Sequence, residues 1–123
     1  MTRYISALAL GLLINRKEET GKGFLIKLMN IKDRYLLSGA ILGWSIVFQD
    51  SMSRFAFEQI TKYREHNDPW IREAFTLGLG LIFHKSGDRT ILKMIKEKLN
   101  DSNPDVRASA VLSLGLIFRE THR

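Results

Sequence analysis

Two segments of the 123-residue chain align with each other without a gap when one is shifted by 35 residues. Asp68–Phe83 matches Asn103–Phe118: the proline, the arginine and the final Leu-Gly-Leu-Ile-Phe coincide, so that Gly80 aligns with Gly115. A period of this length is typical of helix-hairpin arrays, in which each unit buries its apolar face only against its neighbours. The repeat therefore predicts a chain of stacked helix pairs.

The same aligned positions recur towards the N-terminus. Arginine precedes the repeated glycine by eight residues at Arg3, Arg72 and Arg107, while Tyr35 fills that column in the remaining unit. An interior helical glycine costs about 1 kcal/mol relative to alanine, so we expect each repeated glycine to allow close approach of a neighbouring helix. The glycines follow one another at spacings of 32, 37 and 35 residues: Gly11, Gly43, Gly80 and Gly115.

Each complete unit is predicted to form two helices. Asp68-Pro69 and Asn103-Pro104 place a capping side chain before a proline at the first helical position. We expect first helices, apolar nearly all round, at roughly 2–15, 33–48, 69–84 and 104–119, and second helices at about 22–31, 52–65 and 89–99. The predicted fold is all-α: an α-α superhelix, or solenoid, of about seven helices in three and a half pairs. It forms one domain, 1–123, with units at about 2–31, 33–65, 69–99 and 104–119.

These units resemble the proteasome/cyclosome repeat, the HEAT-related helix pair of the two large non-ATPase scaffold subunits of the proteasome regulatory particle. Asn100–Phe118 is especially similar, followed by Asp68–Phe83, and the stretch from Asp101 to Arg107 carries the Asp and Val-Arg element of HEAT repeats in general. The resemblance covers residues 33–119 well and the first unit less well. It implies a non-catalytic solenoid that holds other subunits.

Residues that carry chemistry are sparse. The chain has no cysteine, and its three histidines, His66, His84 and His122, lie in different units without a metal-ligating partner one helical turn away. We therefore expect no catalytic, metal-binding or cofactor-binding residues, no cofactor and no enzymatic activity. The absence of cysteine fits a reducing compartment, and we expect a cytoplasmic protein, or a nuclear one in a eukaryote.

The charge leaves a second class of function open. The chain carries 19 Lys and Arg against 13 Asp and Glu, a net charge of +6. Most of these cations are scattered, which is typical of solvated helix faces. Lys93, Lys96 and Lys98 are the densest group, opposite a predicted apolar stripe that ends at Leu99. A HEAT-like protein that binds nucleic acid through this basic face is the alternative function.

The expected partners are other proteins. The apolar runs fall short of the roughly 20 residues that span a bilayer, so we expect no membrane contact. Trp70 stands where its counterpart is charged, which makes it a candidate anchor for a partner. The final helix has few polar side chains, so the array is expected to self-associate through an apolar end helix or to continue into a longer solenoid. A role as an accessory to an enzyme is a further alternative. The candidate partner-binding residues are Trp70, Lys93, Lys96, Leu114 and Phe118.

Overall fold

The computed structural model describes residues 33–118. This part of the chain is all-helical, as predicted, with five α-helices and no strand: α1 Arg34–Val47, α2 Arg54–Thr61, α3 Pro69–Ile82, α4 Arg89–Glu97 and α5 Pro104–Ile117. A single 3-10 turn, Lys98–Asn100, links α4 to α5. The helices predicted at 2–15 and 22–31, with Arg3 and Gly11, lie outside the described residues. None of the described helices is long and apolar enough to cross a membrane.

The helices begin where the capping side chains predicted. Asp68 accepts a hydrogen bond from the Trp70 amide and is followed by Pro69, while Asn103 accepts hydrogen bonds from the first-turn amides of α5. Asp33, Ser53 and Asp88 cap the other three helices in the same way. A polar side chain thus satisfies amides at the start of each helix that have no partner within the helix.

The three long helices, α1, α3 and α5, pack side by side, with α3 in the middle. The two short helices form a second layer, and each makes more contacts with the long helix that follows it than with the one before it. Every residue of α1 from Leu37 to Ser45 is buried, as expected for a helix that is flanked on several sides. The same expectation is wrong for α5, where Val111 and Leu112 are exposed. The largest fully buried side chains are Trp44, Phe75, Ile41, Ile60, Ile71, Leu79, Ile82, Ile95, Ile117, Val106 and Thr76.

The end of α4 differs from the prediction. The apolar stripe was expected to include Leu99 and to leave Lys98 on the surface, but Leu99 is exposed and Lys98 is buried. The α-helix ends at Glu97, and the tighter winding of the 3-10 turn rotates the following side chains. The second helices also end earlier than predicted, at Thr61 and at Glu97.

Candidate protein-binding face on helix α5

The repeated glycine of α3 is a point of close helix approach. A Cβ atom at Gly80 would overlap the Ser113 hydroxyl and lie 3.1 Å from the Ser113 Cα on α5. The Ser113 hydroxyl in turn donates a hydrogen bond of 2.6 Å to the Thr76 carbonyl oxygen. Gly78 meets Ser45 of α1 in the same way on the other side of α3. The expected close approach of a neighbouring helix is therefore present at Gly80 but not at Gly115, where a Cβ atom would have no heavy atom of the described residues within 4 Å.

The repeated arginine of α3 ties that helix to the next repeat. Arg72 donates from Nε and Nη2 to both carboxylate oxygens of Asp101, each at 2.9 Å, and the two side chains are only 13% and 9% exposed. Its Nη1 donates to the His66 carbonyl at 2.7 Å. The hydrogen bonds from Arg72 hold the pKa of the Asp101 carboxyl below its usual value, and the same bonds raise the pKa of Arg72.

Backbone hydrogen bonds, which no sequence pattern predicted, join successive repeats at the other end of the long helices. We call this contact the backbone clamp. The turn after α1 donates from the Asp50 and Met52 amides to the carbonyls of Leu81 and Ile82, at 3.1 and 3.0 Å. The turn after α3 repeats the pattern 35 residues later, at 2.8 and 2.9 Å, from Lys85 and Gly87 to Leu116 and Ile117. Terminal helix carbonyls that have no partner within the helix are satisfied in this way.

The clamp requires two residues of each turn to adopt left-handed backbone conformations. The φ angles are 64° at Asp50, 53° at Met52, 59° at Lys85 and 64° at Gly87. Only one of these four positions holds glycine, the residue for which this conformation carries no steric penalty. Because the first turn contains no glycine, the shared backbone geometry of the two turns could not be predicted from the sequence.

One face of α5 repeats the contact positions of α3 but is uncovered in the described structure. This face, which we call the α5 outer face, consists of Arg107, Val111, Leu112 and Gly115. Val111 and Leu112 are 61% and 63% exposed, and a Cβ atom at Gly115 would have no heavy atom within 4 Å. By contrast, Thr76 and Gly80, which occupy the places of Val111 and Gly115 in α3, are buried.

Arg107 repeats one hydrogen bond of Arg72, from Nη1 to a backbone carbonyl, but lacks the pair of bonds to a carboxylate. Its Nη1 donates to the Asp101 carbonyl at 2.8 Å, which corresponds to the bond from Arg72 to His66. No acidic side chain among residues 33–118 pairs with Arg107. An open groove of about 1000 Å³ adjoins Gly115, lined by Met52, His84, Lys85, Ser86, Leu116 and Phe118. The face therefore combines apolar surface, an adjoining concavity and a cation without a carboxylate.

Two of the five predicted partner-binding residues lie at or beside this face. Phe118 is 59% exposed at the end of α5, whereas Leu114 is half-buried against the core. Lys93 and Lys96 are exposed on α4, away from it in the sequence and in a different layer. The structure thus separates the predicted residues into an apolar group on α5 and a basic group on α4.

Lys98 does not belong to the basic group. Its ammonium donates to the Arg64 carbonyl, lies 3.7 Å from a Glu65 oxygen and sits over the ring of Phe75. Burial lowers its pKa. Exposed basic side chains on this part of α4 are therefore reduced to Lys93 and Lys96, with Glu97 beside them.

Trp70 lies at the first turn of α3 and is only half-exposed. The Arg34 guanidinium stands 4.6 Å from its ring centroid, and the Tyr35 ring meets it edge-on at 4.7 Å. Arg34 also pairs with Asp68 at 2.8 Å. The indole thus joins α1 to α3.

Sequence reasoning found the exposed apolar surface of α5 but missed the role of Arg107 on it. The available signal was the spacing of four between Arg107, Val111 and Gly115, which places all three on one helical stripe. No group of three or more His, Cys, Asp or Glu side chains that could hold a metal occurs within the described part of the chain.

Residues 91–120 match the family model of the HEAT repeat. This segment is therefore similar to a HEAT repeat. The matched segment joins α4 to α5, in agreement with the packing of each short helix on the long helix that follows it. No curated protein matches the chain. The match confirms the HEAT-related part of the sequence resemblance, and the closer likeness to the proteasome/cyclosome repeat stays a prediction.

Proposed function

We propose that the protein is a non-catalytic scaffold for protein–protein interactions, built as a HEAT-like solenoid, and that the α5 outer face is one of its binding surfaces. The observation that carries the proposal is the contrast between equivalent positions of α3 and α5. Gly80 is covered by a neighbouring helix, whereas Gly115 faces open space beside two exposed apolar side chains. Exposed contiguous apolar surface on a folded domain is typical of an interaction site.

HEAT repeats generally mediate protein interactions, which supports the same conclusion. The likeness to the proteasome/cyclosome repeat extends the proposal to a scaffold of proteasome-subunit type, acting in the cytoplasm. We expect binding through packing, hydrogen bonds and ion pairs.

Affinity capture with matched variants tests the proposal. The full chain, its Val111→Asp variant and its Lys93→Asp variant are tagged and recovered from the native cell, and the captured proteins are quantified by mass spectrometry. Both positions are solvent-exposed on helices, so each change leaves the fold intact, which circular dichroism checks. The wild type and Lys93→Asp are expected to capture the same proteins, and Val111→Asp is expected to lose them. Equal capture by all three chains would contradict a binding role for α5.

The same variants address the nucleic-acid alternative. The basic face that this alternative requires retains Lys93 and Lys96, beside Glu97, because Lys98 is buried. Binding through phosphates weakens steeply with salt. If the alternative holds, the chain binds single- or double-stranded oligonucleotides at 50 mM salt and Lys93→Asp weakens that binding; we expect no such binding.

A further inference from the structure

Three positions on α5 repeat those by which α3 contacts its neighbour. Arg107, Val111 and Gly115 stand 35 residues after Arg72, Thr76 and Gly80, on one stripe of the helix. The α3 stripe is covered by α5 and by the turn that precedes it, through the ion pair to Asp101 and the approach of Ser113. What covers α3 therefore indicates what the α5 outer face is shaped to receive.

The requirements on such a partner can be taken from α4 and α5 themselves. Asp101 lies in the turn between these two helices and places both carboxylate oxygens on Arg72. Ten or so residues further on, a small side chain, Ser113, faces Gly80 and donates to the Thr76 carbonyl. A carboxylate in the inter-helix turn and a small residue on the second helix are the two recognition elements.

The Arg107 side chain is oriented to bind such a carboxylate. Its Nη1 bond to the Asp101 carbonyl reproduces the bond from Arg72 to the His66 carbonyl. The remaining guanidinium donors of Arg107 have no carboxylate among the described side chains, whereas those of Arg72 bind Asp101. Since a guanidinium presents its donors in a rigid fork, fixing Nη1 also orients Nε and Nη2 for a bidentate carboxylate.

We propose that the α5 outer face binds a HEAT-class helix pair supplied by a different protein, with a carboxylate from the pair's inter-helix turn on Arg107 and a serine, alanine or glycine against Gly115. This inference rests on the proposed scaffold function and adds the chemistry of the partner. A second copy of this chain fits less well. Its α4–α5 pair carries Asp101 and Ser113, but that surface is already covered by α3, and the α2–α3 pair has His66 where Asp101 would be needed.

A labelled peptide of residues 84–118, which contains the α4–α5 pair, serves as the probe in fluorescence-anisotropy titrations of the full chain. Gly115→Leu in the full chain is expected to weaken binding about tenfold or more, because a large side chain fills the space that the small residue needs. The open surroundings of Gly115 mean that the variant folds normally. Binding that is indifferent to Gly115→Leu would overturn the proposal.

The ion pair is tested by a double-mutant cycle. Arg107→Gln is expected to weaken binding of the wild-type peptide by roughly three- to tenfold, as for a partly desolvated charge pair. It is expected to have little effect on a peptide that carries Asp101→Asn, because the partner carboxylate is then absent. Equal effects of Arg107→Gln on both peptides would exclude a carboxylate at this position of the partner.

A second measurement does not require the peptide to fold in isolation. In an extended chain, residues 84–118 are repeated directly after Phe118, so that the added pair is attached next to α5. Gly115→Ala is expected to raise the melting temperature of the natural chain and to lower that of the extended chain by a few °C, as the methyl group meets the added serine. The same sign in both chains would overturn the proposal.

These outcomes separate the inference from the proposed function. If neither the peptide nor the extended chain shows the Gly115 effect while Val111→Asp still loses its captured partners, the scaffold function stands and the partner is not a helix pair. If Val111→Asp captures as the wild type does, the binding role of α5 itself fails.

Discussion

Gly80 and Gly115 occupy the same position in successive repeats but have opposite surroundings, and substitution by alanine therefore has opposite effects at the two sites. Both glycines lie inside helices, at Pro69–Ile82 and Pro104–Ile117. The intrinsic gain from replacing a helical glycine by alanine is about 0.5–1 kcal/mol in each case. Only the packing around the new methyl group distinguishes them.

The magnitude follows from the contacts of that methyl group. At Gly80 it would overlap the Ser113 hydroxyl and lie 3.1 Å from the Ser113 Cα, which is backbone and cannot rotate away. Overpacking of this kind costs about 1–3 kcal/mol, and displacing the hydroxyl from the Thr76 carbonyl costs about 1 kcal/mol more. Gly80→Ala is therefore expected to destabilise the fold by about 1–3 kcal/mol, whereas Gly115→Ala stabilises it by about 0.5–1 kcal/mol.

Thermal and urea denaturation followed by circular dichroism at 222 nm measures both variants against the wild type. For a chain of this length, 1 kcal/mol corresponds to roughly 3–5 °C in melting temperature. The two melting temperatures are expected to move in opposite directions from that of the wild type. A similar shift of the same sign in both variants would refute the assignment of Gly80 to a helix–helix contact and of Gly115 to an open face.

Three other predictions concern the contacts between repeats. Arg72→Ala is expected to lower the free energy of unfolding by about 2–3 kcal/mol in urea titrations, because it leaves the Asp101 carboxylate largely buried without its partner; a loss below about 0.5 kcal/mol would contradict this. The stability difference between the wild type and Asp101→Asn is expected to be full above about pH 4 and to shrink as the pH falls further, since the folded pKa of Asp101 lies below the unfolded one; a difference independent of pH between 2 and 6 would contradict the shift. Met52→Gly is expected to raise the free energy of unfolding by about 0.5–1 kcal/mol, because Met52 has a φ of 53° where the next repeat has Gly87. A decrease in the same urea titration would show that the Met52 side chain contributes more than its backbone costs.

The helical repeat could be predicted from the sequence because its signals are local. Asp68-Pro69 and Asn103-Pro104 mark helix starts by a capping chemistry that depends on adjacent residues alone, and the structure places α3 and α5 accordingly. The glycine period was informative at Gly80, where a neighbouring helix approaches closely, although Gly115 in the next repeat has no such neighbour among the described residues. These features determined the fold class and the order of the long helices.

The environment of particular side chains could not be predicted because it depends on neighbours distant in sequence. The sequence places Lys98 in a basic cluster, but the 3-10 turn directs its side chain over the ring of Phe75, 23 residues earlier in the chain. Trp70 reads as an unmatched aromatic, yet Arg34 and Tyr35 of α1 cover part of it. In each case a contact across repeats decides the outcome.

The candidate site lies between these extremes. The apolar composition of the final helix indicated an interaction surface, but its extent follows only from knowing which side of α3 is covered by α5. That comparison places Val111 and Gly115 on the open face and moves Leu114 towards the core. It also brings in Arg107, whose partner carboxylate is missing among the described residues.

Photo-cross-linking from the α5 outer face tests the central claim most directly. A photoreactive amino acid is placed at Val111 in the full chain, and a control chain carries it at Lys93, which is also exposed, on α4. After illumination in the native cell, the account predicts a covalent adduct with a partner protein from position 111 and no such adduct from position 93. Adducts of equal yield from the two positions, or none from position 111, would contradict it.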